Sequence, residues 1–184
     1  MKKILWSVLG VGALLVGAQV AYTAPLTATT TQKFTVTVPK RVSITAPAAV
    51  SATLPDSNAD LAFPSQAWQV KGNVQLGVGV TFVVETPFIH TTDSSYKRDA
   101  RLSVSLGSTV GPAAWTLAGA VAGVASAQTD YANATPVTTA TVSASSDKVG
   151  QAAFNVGVEF LTVDTAEVAE GDYETTVRGT VTEN

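Results

Sequence analysis

From Val74 to Glu85 the chain alternates without a break. Val74, Leu76, Val78, Val80, Phe82 and Val84 fall on one side, and Gln75, Gly77, Gly79, Thr81, Val83 and Glu85 on the other. A period of two over this length specifies a half-buried β-strand, because a helix would repeat every 3.6 residues. The two glycines share the outward side, so either another backbone approaches closely there or the strand bends.

Shorter runs repeat the same period. Phe34, Val36 and Val38 alternate with threonines, and Val42, Ile44 and Ala46 follow after Pro39, which ends a strand or sits at an edge. Leu102, Val104 and Leu106 form a further run; Trp115, Leu117, Gly119 and Val121 share a face, and β-branched residues fill Val137–Ala144. Phe154, Val156, Val158 and Phe160, then Tyr173, Thr175, Val177, Gly179 and Val181, complete the pattern. Ala118–Gln128 is alanine-rich, but Gly119 and Gly123 weigh against a helix, so it reads as loop or strand. The 27 valines and 26 threonines favour the pleated strand throughout. The expected fold is all-β, an antiparallel β-sandwich of immunoglobulin-like or jelly-roll-like type with about eight to ten strands.

The N-terminus reads differently. Met1-Lys2-Lys3 precedes the uncharged apolar run Ile4–Val16, and Val16-Gly17-Ala18 places small residues where a signal peptidase inspects the chain. Residues 1–24 are therefore expected to be an export signal cut between 18 and 24, with a Thr-rich tether or first edge strand over 25–33 and one domain over 34–184. Removing Lys2 and Lys3 leaves nine basic against 14 acidic residues. Such a mildly acidic product, with no basic run beyond Lys40-Arg41 and Lys97-Arg98, is unsuited to nucleic acid, and no membrane contact is expected once the signal is gone.

Few residues are available for chemistry. The absence of cysteine removes disulfides, thiolate zinc sites and thiol nucleophiles. His90 is the only histidine, no Gly-x-Ser-x-Gly elbow exists, and the sequence predicts a polar loop residue. Asp93, Ser95 and Asp99 offer oxygen ligands around Tyr96-Lys97-Arg98, yet the spacing fits a solvated turn neutralised by Lys97 and Arg98 better than a calcium loop. Asp164, Glu167, Glu170, Asp172 and Glu174 lack the calcium-loop pattern and read as a charged turn between strands. Glu85 and Glu159 are mid-strand carboxylates with nothing to mark them as an acid and a nucleophile. Trp68, Trp115, Tyr96 and Tyr131 are candidates for a sugar-stacking platform, but Trp68 is in phase with Val70 and Trp115 with Leu117, which places both in the core. Asn133-Ala134-Thr135 is a sequon that a bacterial signal leaves without meaning. No catalytic, cofactor-binding or metal-binding residue is assigned, and no cofactor is expected.

The stretch Gly171–Thr182, a Gly-x-Tyr turn leading into alternating Thr and Val, resembles the closing strand of bacterial exported immunoglobulin-like modules, including fimbrial-type subunits. The resemblance implies a surface β-sandwich; the cysteine pair usual in chaperone-assembled fimbrial subunits is absent. Between Arg101 and Asp147 the only charge is Asp130, so few charges guard the sheet edges there. The expectation is an exported structural or adhesive protein, not an enzyme, in the periplasm, at the cell surface or outside the cell. Its expected partners are copies of itself or other surface proteins. A carbohydrate- or small-ligand-binding module is the alternative, and a hydrolase the third reading.

Overall fold

The computed structural model describes residues 26–184, so the expected export signal and its cleavage positions lie outside the described residues. The chain divides into an N-terminal unit ending at Thr37 and a β-domain from Val38 to Asn184.

In the N-terminal unit, Leu26–Thr37 carries no secondary structure. The strand expected from Phe34, Val36 and Val38 does not form; the three side chains are 82%, 85% and 73% exposed. The physical reason is the missing partner, since an extended segment without a ladder neighbour has no strand hydrogen bonds to make.

The β-domain is built almost entirely from antiparallel strands: β1 (Val42–Thr45), β2 (Leu61–Ala62), β3 (Gln66–Gly72), β4 (Val78–Val84), β5 (Phe88–His90), β6 (Lys97–Arg98), β7 (Ala100–Val110), β8 (Trp115–Leu117), β9 (Val124–Gln128), β10 (Ala140–Ser146), β11 (Gly150–Phe160), β12 (Tyr173–Glu174) and β13 (Val177–Glu183). More strands appear than the sequence suggested because several are two- or three-residue pieces of interrupted runs. One sheet has the order β1-β3-β11-β7-β9, with β2 also paired to β11; another has the order β13-β4-β10-β8. A small sheet, β12-β5-β6, prolongs the β13/β4 pair, because the Glu85 N–H bonds to the Thr176 carbonyl between the two ladders.

Alternation decides what is buried. Val78, Val80, Phe82 and Val84 on β4 meet Val70, Leu102, Val104, Phe154 and Val156 from the other sheet in one core. Phe82 stands edge-on to both Trp68 and Phe154, with ring centroids 5.6 and 5.5 Å apart. The absence of a side chain at Gly179 admits the Trp68 ring and Ile44 against β13. The result is a sandwich-like all-β architecture.

The longest alternating run is shorter than the sequence suggested. The run from Val74 to Glu85 is not one strand: Val74 is buried, Leu76 is 68% exposed, and the ladder starts at Val78. Gly77 explains the break. Its φ of 81° is a left-handed turn, its N–H returns to the Val74 carbonyl, and the Ser146 backbone occupies the space a Cβ would need. The Ala118–Gln128 stretch, read from the sequence as loop or strand, is a turn followed by β9, with Ala122 and Gly123 both at positive φ.

Candidate interaction surface

β1 pairs with β3 only from Val42↔Gly72 to Thr45↔Gln69. Beyond it stand Ala46 and Pro47, and proline has no N–H with which to continue a ladder. The outer edge of Gln66–Trp68 is therefore left without a strand neighbour among the described residues. In β13-β4-β10-β8 and β12-β5-β6, β13 and β12 are likewise terminal strands.

Between these edges lies an apolar groove of about 1190 Å³. Val156, Val158 and Phe160 line it at the period-two spacing of β11, joined by Leu61, Phe63 and Phe88. One wall is the segment Pro47–Leu54, which makes no hydrogen bond to the rest of the described chain and is anchored by the half-buried Leu54. The other wall runs from Val168 to Val177. Asp56, Glu170, Asp172 and Glu174 stand among the lining residues, and no lysine or arginine does.

His90 holds the second wall from behind. Contrary to the expectation of a solvated loop residue, it lies in β5 at 7% exposure. Its Nε2–H donates to the Glu170 carbonyl at 2.8 Å, while Nδ1 accepts from the N–H groups of Thr92 and Asp93 at 3.3 and 3.1 Å. The Tyr173 ring stands edge-on to it, with centroids 5.0 Å apart. Both ring nitrogens are engaged by backbone, so the residue serves as a clasp between loops. Gly171 completes the arrangement, since its φ of 131° and the His90 ring leave no room for a side chain.

The other candidates are placed as follows. Asp93 accepts from the Ser95 hydroxyl and N–H, which holds its carboxyl below the usual range. Asp99 accepts from Thr129 Oγ1 and the Tyr131 N–H, and Thr129 in turn accepts from the Ala100 N–H. Arg98 does not neutralise either acid, as the sequence reading had it. It is buried, donating to the carbonyls of Lys97 and Glu167 and to the Tyr131 hydroxyl, with the Glu167 carboxylate at 3.8 Å. The acidic run is an organised turn: Asp164 accepts from Ala166 N–H at the start of the 3-10 turn Thr165–Glu167. Among the described residues no group of carboxylates and histidine is arranged to hold a metal ion.

Glu85 and Glu159 are not brought together. Glu85 pairs with Arg178 at 2.7 Å beside β4, and Glu159 pairs with Arg101 at 2.6 Å on the other sheet. Trp68 is buried at 9% exposure, and the half-buried Trp115 stands edge-on to Phe154, so both rings pack on the core as their phase predicted. Asn133 forms a local turn by accepting from the Thr135 N–H.

Sequence reasoning found the buried faces and missed the groove and the clasp. The available signal for the groove was Pro47 followed by the period-free Ala48–Thr53. No family model matches the chain, and no curated protein or solved structure is significantly similar to it. Among the described residues no helix is long and apolar enough to cross a membrane.

Proposed function

We propose that this protein is an exported structural or adhesive component of the cell surface or its surroundings, with an immunoglobulin-like or jelly-roll-like sandwich, that assembles with copies of itself through strand edges. The observation that carries this reading is the state of Phe34, Val36 and Val38. They form an amphipathic period-two segment that is 73–85% exposed and has no ladder partner among the described residues. A solvated strand-coded segment of this kind gains both main-chain hydrogen bonds and apolar burial when it joins another sheet. The uncharged stretch from Leu102 to Thr129, which includes the terminal strands β8 and β9, and the pairing of both mid-strand glutamates with arginines support a structural role.

Electron microscopy and light scattering of the purified protein test the proposal. Filaments, lattices or concentration-dependent oligomers are expected, and their loss on Val36→Asp is expected with the thermal melting of the β-domain unchanged. A protein that stays monomeric at high concentration overturns it.

A further inference from the structure

We infer that an apolar cavity at the β8/β9 edge of the β-domain binds a small, neutral, single-ring aromatic molecule. Its volume, the ring packing on its walls and the lack of charge around it each narrow the ligand.

The cavity forms because inward-facing side chains run past the strands that cover them. β9 pairs with β7 only as far as Ser105↔Val124, and β8 is the terminal strand of its own sheet. Leu106 is in phase with the buried Leu102 and Val104, and Trp115 and Leu117 share the inward side of β8, yet all three are only half-buried. With the Phe154 ring opposite Leu106 they bound a cavity of about 280 Å³. Ala120 and Gly123, from the turn that joins β8 to β9, form its rim. That turn closes on itself through two hydrogen bonds between Val121 and Val124, and a Cβ at Gly119 or Gly123 would meet nothing within 4 Å, so the turn stands beside the cavity without filling it.

Size sets the first limit. An apolar cavity of about 150 Å³ admits benzene, and drug-sized ligands occupy pockets of roughly 300–1,000 Å³. The cavity here lies between these values and suits one substituted ring.

The walls favour that ring being aromatic. Trp68 stands edge-on to Phe82, Phe82 to Phe154 and Phe154 to Trp115, with centroids 5.6, 5.5 and 5.4 Å apart. This file of rings ends at the cavity, where Phe154 and Trp115 both line the wall. A guest ring adds one more aromatic pair, which an aliphatic guest of equal area does not. The Trp115 indole N–H is buried and has no hydrogen-bond partner among the described residues, so the ring is held by packing and adjusts to a guest without giving up a hydrogen bond.

Charge sets the last limit. No acid or base stands among the described lining residues, and the uncharged stretch Leu102–Thr129 supplies all of them except Phe154. A charged ligand would lose hydration there without gaining an ion pair.

Toluene titrated into the purified full chain tests the inference, with benzoate as its charged counterpart. Binding is read by NMR from the indole N–H signal of Trp115, assigned by its loss in Trp115→Phe. A saturable shift with toluene and none with benzoate is expected. Ala120→Phe, which places a ring on the cavity rim, should weaken toluene binding at least about tenfold, whereas Val121→Phe, in the same turn but off the lining, should leave it within about twofold. Both positions are exposed, and circular dichroism verifies that each variant is folded. No saturable shift at Trp115, an equal response to benzoate, or equal weakening by the two substitutions overturns the assignment. A shift confined to Trp68, which lines the larger groove, also overturns it and moves the apolar site there.

Discussion

Nε2 of His90 donates to the carbonyl of Glu170 at 2.8 Å across 80 residues of sequence, tying β5 to the acidic turn. His90→Ala removes this bond and also leaves the Thr92 and Asp93 N–H groups without their acceptor. Unpartnered groups in a 7%-exposed site cost about 1–3 kcal/mol, so the variant is expected to be less stable by that order in denaturant titration. Gly171→Ala should do comparable damage, because the new methyl group meets the His90 ring and the backbone sits at a φ of 131°. Unchanged midpoints in both variants would show that the clasp is dispensable.

The contrast between His90 and Val80 shows how much was legible in advance. Burial of Val80 followed from its neighbours two residues away, because alternation is written locally. Burial of His90 depends on Glu170 and Tyr173, which β12 brings alongside β5, and no local pattern encodes that pairing. The groove was hidden for the same reason. It exists where β1 stops beside a strand some 20 residues later, and only Pro47 marked the place.

Val80 therefore provides the cleanest check on the register. It is 1% exposed on β4, which lies between β13 and β10, whereas Thr81 faces outward opposite Ser143 and Thr180. Val80→Asp buries an unpaired carboxylate at a cost of several kcal/mol, comparable with total stability, and the domain should unfold. Thr81→Asp should shift stability by about 1 kcal/mol or less. Equal thermal melting of the two variants would refute the register.

Acid should loosen two turns in a predictable direction. Asp147 accepts from the Ala114 N–H at 2.7 Å, which lowers its pKa, and Asp93 is lowered by Ser95. A carboxyl depressed in the folded state stabilises fully above its unfolded value, about 3.9, and that contribution is lost as pH falls through the lower folded value. Urea midpoints measured between pH 5 and pH 2 should fall less steeply in Asp93→Asn/Asp147→Asn than in the parent. Parallel curves would mean that neither turn is linked to protonation.

The assembly reading makes a positional prediction inside one short segment. Phe34 is 82% exposed, and neither it nor Thr35 has a strand partner among the described residues, so Phe34→Asp and Thr35→Asp should both leave the melting of the β-domain within about 0.5 kcal/mol of the parent. Their effects on association should nevertheless differ. Full burial of a phenylalanine side chain is worth about 1.5–3 kcal/mol, and each 1.4 kcal/mol is tenfold in affinity, so Phe34→Asp should weaken self-association by at least about tenfold. Thr35 falls on the opposite side of the extended segment and faces solvent when Phe34 is seated, so Thr35→Asp should weaken it far less. Sedimentation equilibrium of the two variants over one concentration series reads the difference. Equal dissociation constants would show that Phe34–Val38 does not bind as a strand with one face buried.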